Sequence, residues 1–292
     1  MRVVSICDGI SCGRVALDRA GISVERYIAY EIDSCAIAVS TWNSPPDIEQ
    51  AGSVEGADFT KYIGFDLVIG GTPCKGFSIA GKGLNFEDPE SRLIFEFERA
   101  VKIIKPKYFL LENTPMKKIH VDRINAMLSV PAICIDSRLV SAQSRKRLYW
   151  TNIHLSASIE KKDIRLTDIL EPLTQVYKYA HSRKGVDYMY SSSKNGRVKW
   201  KYGYHSDTRK SKSACLIKNM YKGVPHNVLI DRRRVPPLIR KFTPVECERL
   251  QTLPDGYTEM VSDTQRYRQL GNGWTVDVIA HIFTQMILNE IL

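Results

Sequence analysis

The chain has 292 residues and a net charge of +10, with 43% hydrophobic and 25% charged residues. This globular composition excludes wholesale disorder, and no apolar run approaches the roughly 18 residues of a membrane span. The charge is unevenly placed: residues 175–241 hold 17 Lys and Arg against three Asp, a balance of +14, while the rest holds 25 basic against 29 acidic residues, a balance of −4. That segment also carries Tyr177, Tyr179, Tyr188, Trp200 and Tyr221 among its aromatics. Basic charge interleaved with aromatics suits phosphate contacts and base stacking, so an enzyme core with a polyanion-binding module is expected. Seven cysteines without a Cys-x-x-Cys pair speak against a disulfide framework or a metal site and for a reducing cytoplasm. The opening MRVVSICDGIS lacks the apolar stretch of a secretory signal and is expected to belong to the fold.

In chain order, Val3 to Ile6 reads as a short strand, Asp8 to Gly13 as a turn, and Val15 to Ala20 as a helix stopped at Gly21. A second strand, Tyr27 to Tyr30, ends on Glu31 and is followed by a helix around Cys35 to Trp42. Phe65 to Ile69 is a continuous apolar strand, Phe95 to Ile104 a helix closed by Pro106, and Tyr108 to Leu111 another strand. Ala132 to Ile135 and Leu148 to Thr151 are further strands. Short apolar strands alternating with helices predict an α/β fold, a Rossmann-like doubly wound and mostly parallel sheet with ligands at the carboxyl ends of its strands. From about residue 156 to 241 the periodicity is poor, which predicts an inserted small module. Patterning returns at Phe242, with Thr243 and Glu246 as a capping box and Cys247, Leu250 and Leu253 as the apolar stripe. A last helix from Thr275 should dock back on the sheet. The expected division is therefore 1–155 with 242–292 as one catalytic domain, and 156–241 as the insertion.

The residues that could carry chemistry sit at predicted strand ends. The Gly9 turn suits a nucleotide-like cofactor, and Glu31 is placed to accept ribose hydroxyls. After FDLVIGG, Cys74 follows Pro73 on a loop; Glu112 ends another strand; Arg145 and Arg147 lie on one face of QSRKR. A thiol, a carboxyl and two guanidiniums from three strand ends suit a soft nucleophile attacking an electron-poor ring.

These motifs resemble, in order, those of the DNA (cytosine-5)-methyltransferases: the turn CDGISCG, the acid Glu31, the Pro-Cys loop, ENT for the usual ENV, and QSRKR for QxRxR. RKFTPVECERLQTLP is similar to the family's RxLTxxExxRLQxFP, and QLGNGWTV to QxGNSV. The resemblance covers most of the chain, leans toward the animal de novo enzymes in CDGISCGRVAL and YIAYEID, and toward phage or prophage enzymes in its length and GNGW ending. It implies a class I methyltransferase fold with an inserted target-recognition domain, S-adenosylmethionine as cofactor, double-stranded DNA as partner, a monomer, and a bacterial or phage-infected host cytoplasm. It implies Cys74 as the nucleophile on cytosine carbon 6, Glu112 at ring nitrogen 3, and Arg145 and Arg147 at the base oxygen or nearby phosphates. The target base would be flipped out of the duplex. Cofactor contacts carry over to Asp8, Gly9, Ile10, Glu31, Ile32, Asn272 and Thr275, and nucleic-acid contacts are expected at Lys75, Ser78, Arg232, Arg233 and Arg234.

Two positions depart from the family pattern. The acid expected thirteen residues before Asp66 is replaced by Ser53, followed by Val54, with Asp58 as a substitute acid. Lys75 stands where Asn or Gln is usual, and could lower the thiol pKa, hold a phosphate, or pair with the carboxylate of a carboxy-S-adenosylmethionine. The same chemistry on tRNA and an inactive DNA-binding homologue are the alternatives; retention of Cys74, Glu112, Arg145 and Arg147 counts against the second.

Overall fold

The computed structural model describes residues 1–43, 47–73, 92–192, 198–200 and 205–291, so Cys74, Lys75 and Ser78 lie outside the described residues. The chain forms two compact units. One takes residues 1–136, 146–159 and 276–292; the other takes 137–145 and 160–275.

The first unit is built on β1 (Arg2–Ile6), α1 (Cys12–Arg19), β2 (Arg26–Tyr30), α2 (Ser34–Asn43), β3 (Ile48–Gln50), β4 (Leu67–Gly70), α3 (Leu93–Ile104), β5 (Tyr108–Asn113), α4 (Lys118–Leu128), β6 (Ile133–Asp136) and β7 (Lys146–Thr151). Its seven strands lie in the order β3-β2-β1-β4-β5-β7-β6, parallel except for β7, which runs antiparallel to both neighbours. Strand order reverses between β1 and β4, the place where open α/β sheets hold ligands beyond their carboxyl ends. Helices cover both faces, so β4 and β5 are buried along their whole length and read as continuous apolar runs. Val4, Ile28, Val68, Phe97, Leu111 and Trp150 form the heart of this core. The expected closing helix is present at Val276–Ile291; it packs on α1, buries Val278, Ile279, Ile282 and Phe283, and has an Arg19–Asp277 ion pair at its start. This architecture is the Rossmann-like, doubly wound and mostly parallel sheet expected from the alternation of strands and helices.

Several boundaries shift by one to three residues from the expected ones, two of them next to the site. The α1 helix begins at Cys12, because Ser11 takes a left-handed turn (φ 56°) that starts the helix three residues early. The β5 strand runs on through Asn113, so Glu112 lies inside the strand, paired with Tyr149 of β7.

The second unit contains α5 (Leu173–Val176), α6 (Arg183–Met189), β8 (Tyr190–Ser192), β9 (Val198–Trp200), β10 (His205–Asp207), β11 (Val228–Asp231), β12 (Leu238–Arg240), α7 (Pro244–Leu250) and α8 (Asp263–Asn272). The β8 and β9 strands pair antiparallel, while β11 is parallel to β10 and antiparallel to β12. The α7 helix starts with the expected capping box, Thr243 accepting from the Glu246 N–H and Glu246 accepting from the Thr243 N–H. The same Glu246 holds Arg240, which also reaches Asp231; all three are fully buried. Residues 242–275, expected with the sheet, belong instead to this unit, and residues 137–145 join them. Part of the reason is polar: Gln143 and Arg145 are stitched to Leu216, Leu250, Gln251, Gly271 and Gly273 by buried or half-buried hydrogen bonds. A hydrophobic pattern carries no trace of such a lattice.

Candidate active site

The turn after β1 is shaped by one carboxylate. Asp8 accepts hydroxyl hydrogen bonds from Ser5 (2.6 Å), Ser11 (2.5 Å) and Tyr27 (2.6 Å), and Ser11 in turn meets Ser40. Burial pushes the Asp8 carboxyl above its usual range, and the three hydroxyls pull against that shift. The backbone is left-handed at Cys7, Gly9 and Ser11, which only Gly9 adopts at no steric cost. Glu31, just past β2, closes the turn: one oxygen accepts the Gly9 N–H at 2.8 Å, the other the N–H groups of Ile32 and Asp33 at 2.8 and 2.9 Å. Beside it Ile32 is 75% exposed, a large apolar side chain held open at a strand end.

The other expected cofactor residues fall into two kinds. Ile10 is core, and Val54 is buried next to an exposed Ser53 whose hydroxyl accepts the Glu55 N–H. Asp58 caps the turn that follows, taking both the N–H and hydroxyl of Thr60, and those bonds hold its carboxyl below the usual range. Asn272 is exposed at the end of α8. Thr275 is buried in its own unit, donating to Gln251 at 2.9 Å and meeting the Ser137 hydroxyl at 2.8 Å.

At the carboxyl ends of β4 and β5 the side chains lock together. Asn113 donates to the Thr72 carbonyl (3.2 Å) and hydroxyl (3.3 Å), fixing the segment that leads to Cys74. Glu112 meets the Arg147 Nε at 3.0 Å, with side chains 10% and 12% exposed. Register explains the contact: Glu112 lies opposite Tyr149, and Arg147 projects from the same face of β7 two residues away.

The two arginines of QSRKR therefore part company. Arg147 belongs to the sheet unit and holds a carboxylate. Arg145, 2% exposed in the second unit, donates to the carbonyls of Leu216 (2.8 Å), Gly271 (3.2 Å) and Gly273 (2.8 Å). The sequence places both on one face, toward the base oxygen or nearby phosphates; in the structure the Arg145 guanidinium donates to backbone carbonyls and that of Arg147 meets a carboxylate. Gly271 is required here, since a Cβ would come within 2.3 Å of the Ile217–Lys218 backbone.

The arginine run is also partly consumed. Arg232 pairs with Asp207 (3.0 Å), Arg233 with Asp231 (2.6 Å) and the Glu171 carbonyl, and Arg234 lies over the Tyr177 ring at 5.9 Å. Sequence reasoning missed Asn113, Gln143, Gln251 and the hydroxyls around Asp8. The three-residue spacing of Ser5, Asp8 and Ser11 was the one signal for the last.

The C-5 cytosine-specific DNA methylase family profile matches residues 1–128 and 136–288. The type II methyltransferase M1.ScrFI of Lactococcus lactis subsp. cremoris is 27% identical, covering 98% of this chain and 78% of that protein. The type II methyltransferase M.NlaX of Neisseria lactamica is 29% identical, covering 98% and 96%. The crystal structure of the S. pombe Dnmt2 methyltransferase shares the fold, with a TM-score of 0.75 and 17% identity over 100% of this chain and 99% of that one.

Proposed function

This chain belongs to the C-5 cytosine-specific DNA methylase family, and from that premise we propose which of its residues bind, orient and react. The activity is S-adenosylmethionine-dependent methylation of cytosine carbon 5 in DNA. The sheet unit suits the cofactor: a carboxylate pinned by three backbone N–H groups can accept a ribose diol, and exposed Ile32 offers an apolar face to a purine. Glu31, Ile32 and the Gly9 turn would hold it. When bound, S-adenosylmethionine supplies an electrophilic methyl group.

The protein must make cytosine carbon 5 nucleophilic. Cys74 as thiolate adds to carbon 6, and the ring electrons move toward carbon 5. Glu112 hydrogen-bonds ring nitrogen 3 and takes up the charge change there. Arg147 fixes the Glu112 carboxyl in place, and Asn113 fixes Thr72, two residues before the nucleophile. Once carbon 5 is methylated, a base takes its proton, the electron pair restores the double bond, and the thiolate leaves. The ring faces are closed inside a duplex, so the reading requires double-stranded DNA with the cytosine turned out. The basic module, +14 over residues 175–241, holds the phosphates.

The observation that carries this assignment is the buried Glu112–Arg147 pair at the carboxyl end of β5. Its test is a duplex containing 5-fluorocytosine, whose carbon 5 carries fluorine in place of the proton that elimination must remove. Wild-type protein should form an adduct stable to denaturation, and Cys74→Ser should form none. Adduct formation by Cys74→Ser would remove Cys74 from the mechanism. Methyl incorporation into tRNA but not into the duplex would overturn the substrate.

A further inference from the structure

The β11–β12 hairpin ends in Arg232-Arg233-Arg234-Val235-Pro236-Pro237, and Val235 at its tip is 94% exposed. A single exposed apolar side chain is ordinary on a protein surface and by itself says nothing. What sets this one apart is the stiffness beneath it. Arg232 is tied across to Asp207 of β10, and Arg233 to Asp231 and the Glu171 carbonyl. Arg234 lies over Tyr177, which is itself half exposed, and two prolines fix the descending limb. The tip is thus a firmly footed apolar point that directly follows three arginines, in a module with 17 basic residues against three acidic ones. Holding such a point in water costs solvation that only an apolar surface can relieve, and the charge around it selects a polyanion as the carrier of that surface. Duplex DNA offers both: phosphates outside and base steps within.

We propose that the Val235 tip is an apolar wedge that presses against a base step of duplex DNA, while the arginines around it lie along the phosphates. This rests on the DNA-methylase reading above and adds a residue that grips the duplex by apolar contact rather than by charge. Preorganisation is what gives a small side chain leverage, since little entropy is lost when a stiff loop binds.

The test compares Val235→Ala with Arg234→Gln on plasmid DNA, measuring affinity across a salt series together with methyl transfer. Both positions are on the hairpin surface, and thermal melting should be unchanged for Val235→Ala. If the wedge operates, Val235→Ala weakens binding about tenfold at every salt concentration, because two buried methyl groups are lost, and leaves the log–log salt slope unaltered. Arg234→Gln should instead flatten the slope by about 0.9, the release of one phosphate contact. Affinity within twofold of wild type for Val235→Ala overturns the wedge. So does a loss confined to low salt, which would mean that the tip acts through its arginines. Wild-type protein that neither binds nor methylates the plasmid would instead overturn the DNA reading itself.

Discussion

Replacing Arg145 and Arg147 in turn by Met separates the two roles that their shared motif hides. Arg145 serves three carbonyls, of which Gly273 also accepts from Gln251 at 2.9 Å and keeps a partner when the guanidinium is removed. Leu216 and Gly271 lose a charge-assisted donor each in a buried setting, and Leu216 is left with the weak Cys215 thiol donor at 3.3 Å. An unsatisfied buried acceptor costs about 1–3 kcal/mol, so Arg145→Met should destabilise the protein by about 3 kcal/mol. That corresponds to a fall of about 6–12 °C in melting temperature for a unit of this size. Arg147→Met leaves the sheet intact and deprives Glu112 of its partner. Its melting temperature should fall less, while methyl transfer under saturating DNA and cofactor should fall by about a hundredfold, the range of a displaced acid–base group. Thermal melts and single-turnover methyl transfer, run on both variants, decide the matter. An Arg145→Met protein as stable as wild type but without turnover would return Arg145 to the reacting base and refute this division.

Two further outcomes follow from the same geometry. Glu31→Gln keeps the side chain's shape but removes its charge, so calorimetric affinity for S-adenosylmethionine should drop tenfold or more, the value of a hydrogen bond to a charged acceptor; an unchanged affinity would place the ribose elsewhere. Acid should loosen the basic module: desolvation opposes ionisation of Asp231 and Asp207, but Arg233 and Arg240 around the first, and Arg209 and Arg232 around the second, hold both carboxyls below the usual range. Their folded-state pKa values are depressed, so this stability is complete above the unfolded carboxyl value of about 3.9 and is lost as pH falls below it. Melting curves between pH 6 and 3 should therefore be level at first and then drop, and Asp207→Asn should drop less steeply than wild type; parallel curves would exclude the pair.

The fold was legible in the sequence because its strands are buried on both faces. VVSI, FDLVIGG and YFLL could not be anything but interior, and the acids and glycines after them mark the carboxyl ends where the site is assembled. Glu31 was readable for the same reason, as was the Thr243 capping box, whose two partners are local. The domain boundary was not. Residues 242–275 look like ordinary amphipathic helix, and what ties them to the rest of the second unit is Arg249 donating to the Ile169 carbonyl, Arg240 to Glu246, and Arg145 to the Leu216 and Gly273 carbonyls alike. Hydrogen bonds between side chains and distant carbonyls have no period, so neither hydropathy nor spacing announces them. Nor could the sequence separate Arg145 from Arg147: a guanidinium that holds backbone and one that holds a carboxylate are identical in one dimension.

The arrangement of acids in the basic module has a consequence for how it meets a polyanion. Of the three Asp in residues 175–241, Asp207 holds Arg209 and Arg232, and Asp231 holds Arg233 and Arg240. Each carboxylate thus organises two guanidiniums; the Asp207 group keeps a net charge of +1, while the Asp231 group, with Glu246 also on Arg240, is neutral. Four unrestrained arginines would carry more charge, but each would lose rotamer freedom on gripping a phosphate, about 0.5–1.5 kcal/mol per side chain. Arg240 is wholly buried and lends only its field, whereas Arg209, Arg232 and Arg233 keep part of their guanidinium surface at the exterior. The acids therefore do not weaken the module's hold on phosphate in proportion to the charge they cancel. They convert loose cations into placed ones, which favours register along the duplex over indiscriminate attraction, and they supply the rigid footing on which the Val235 tip stands.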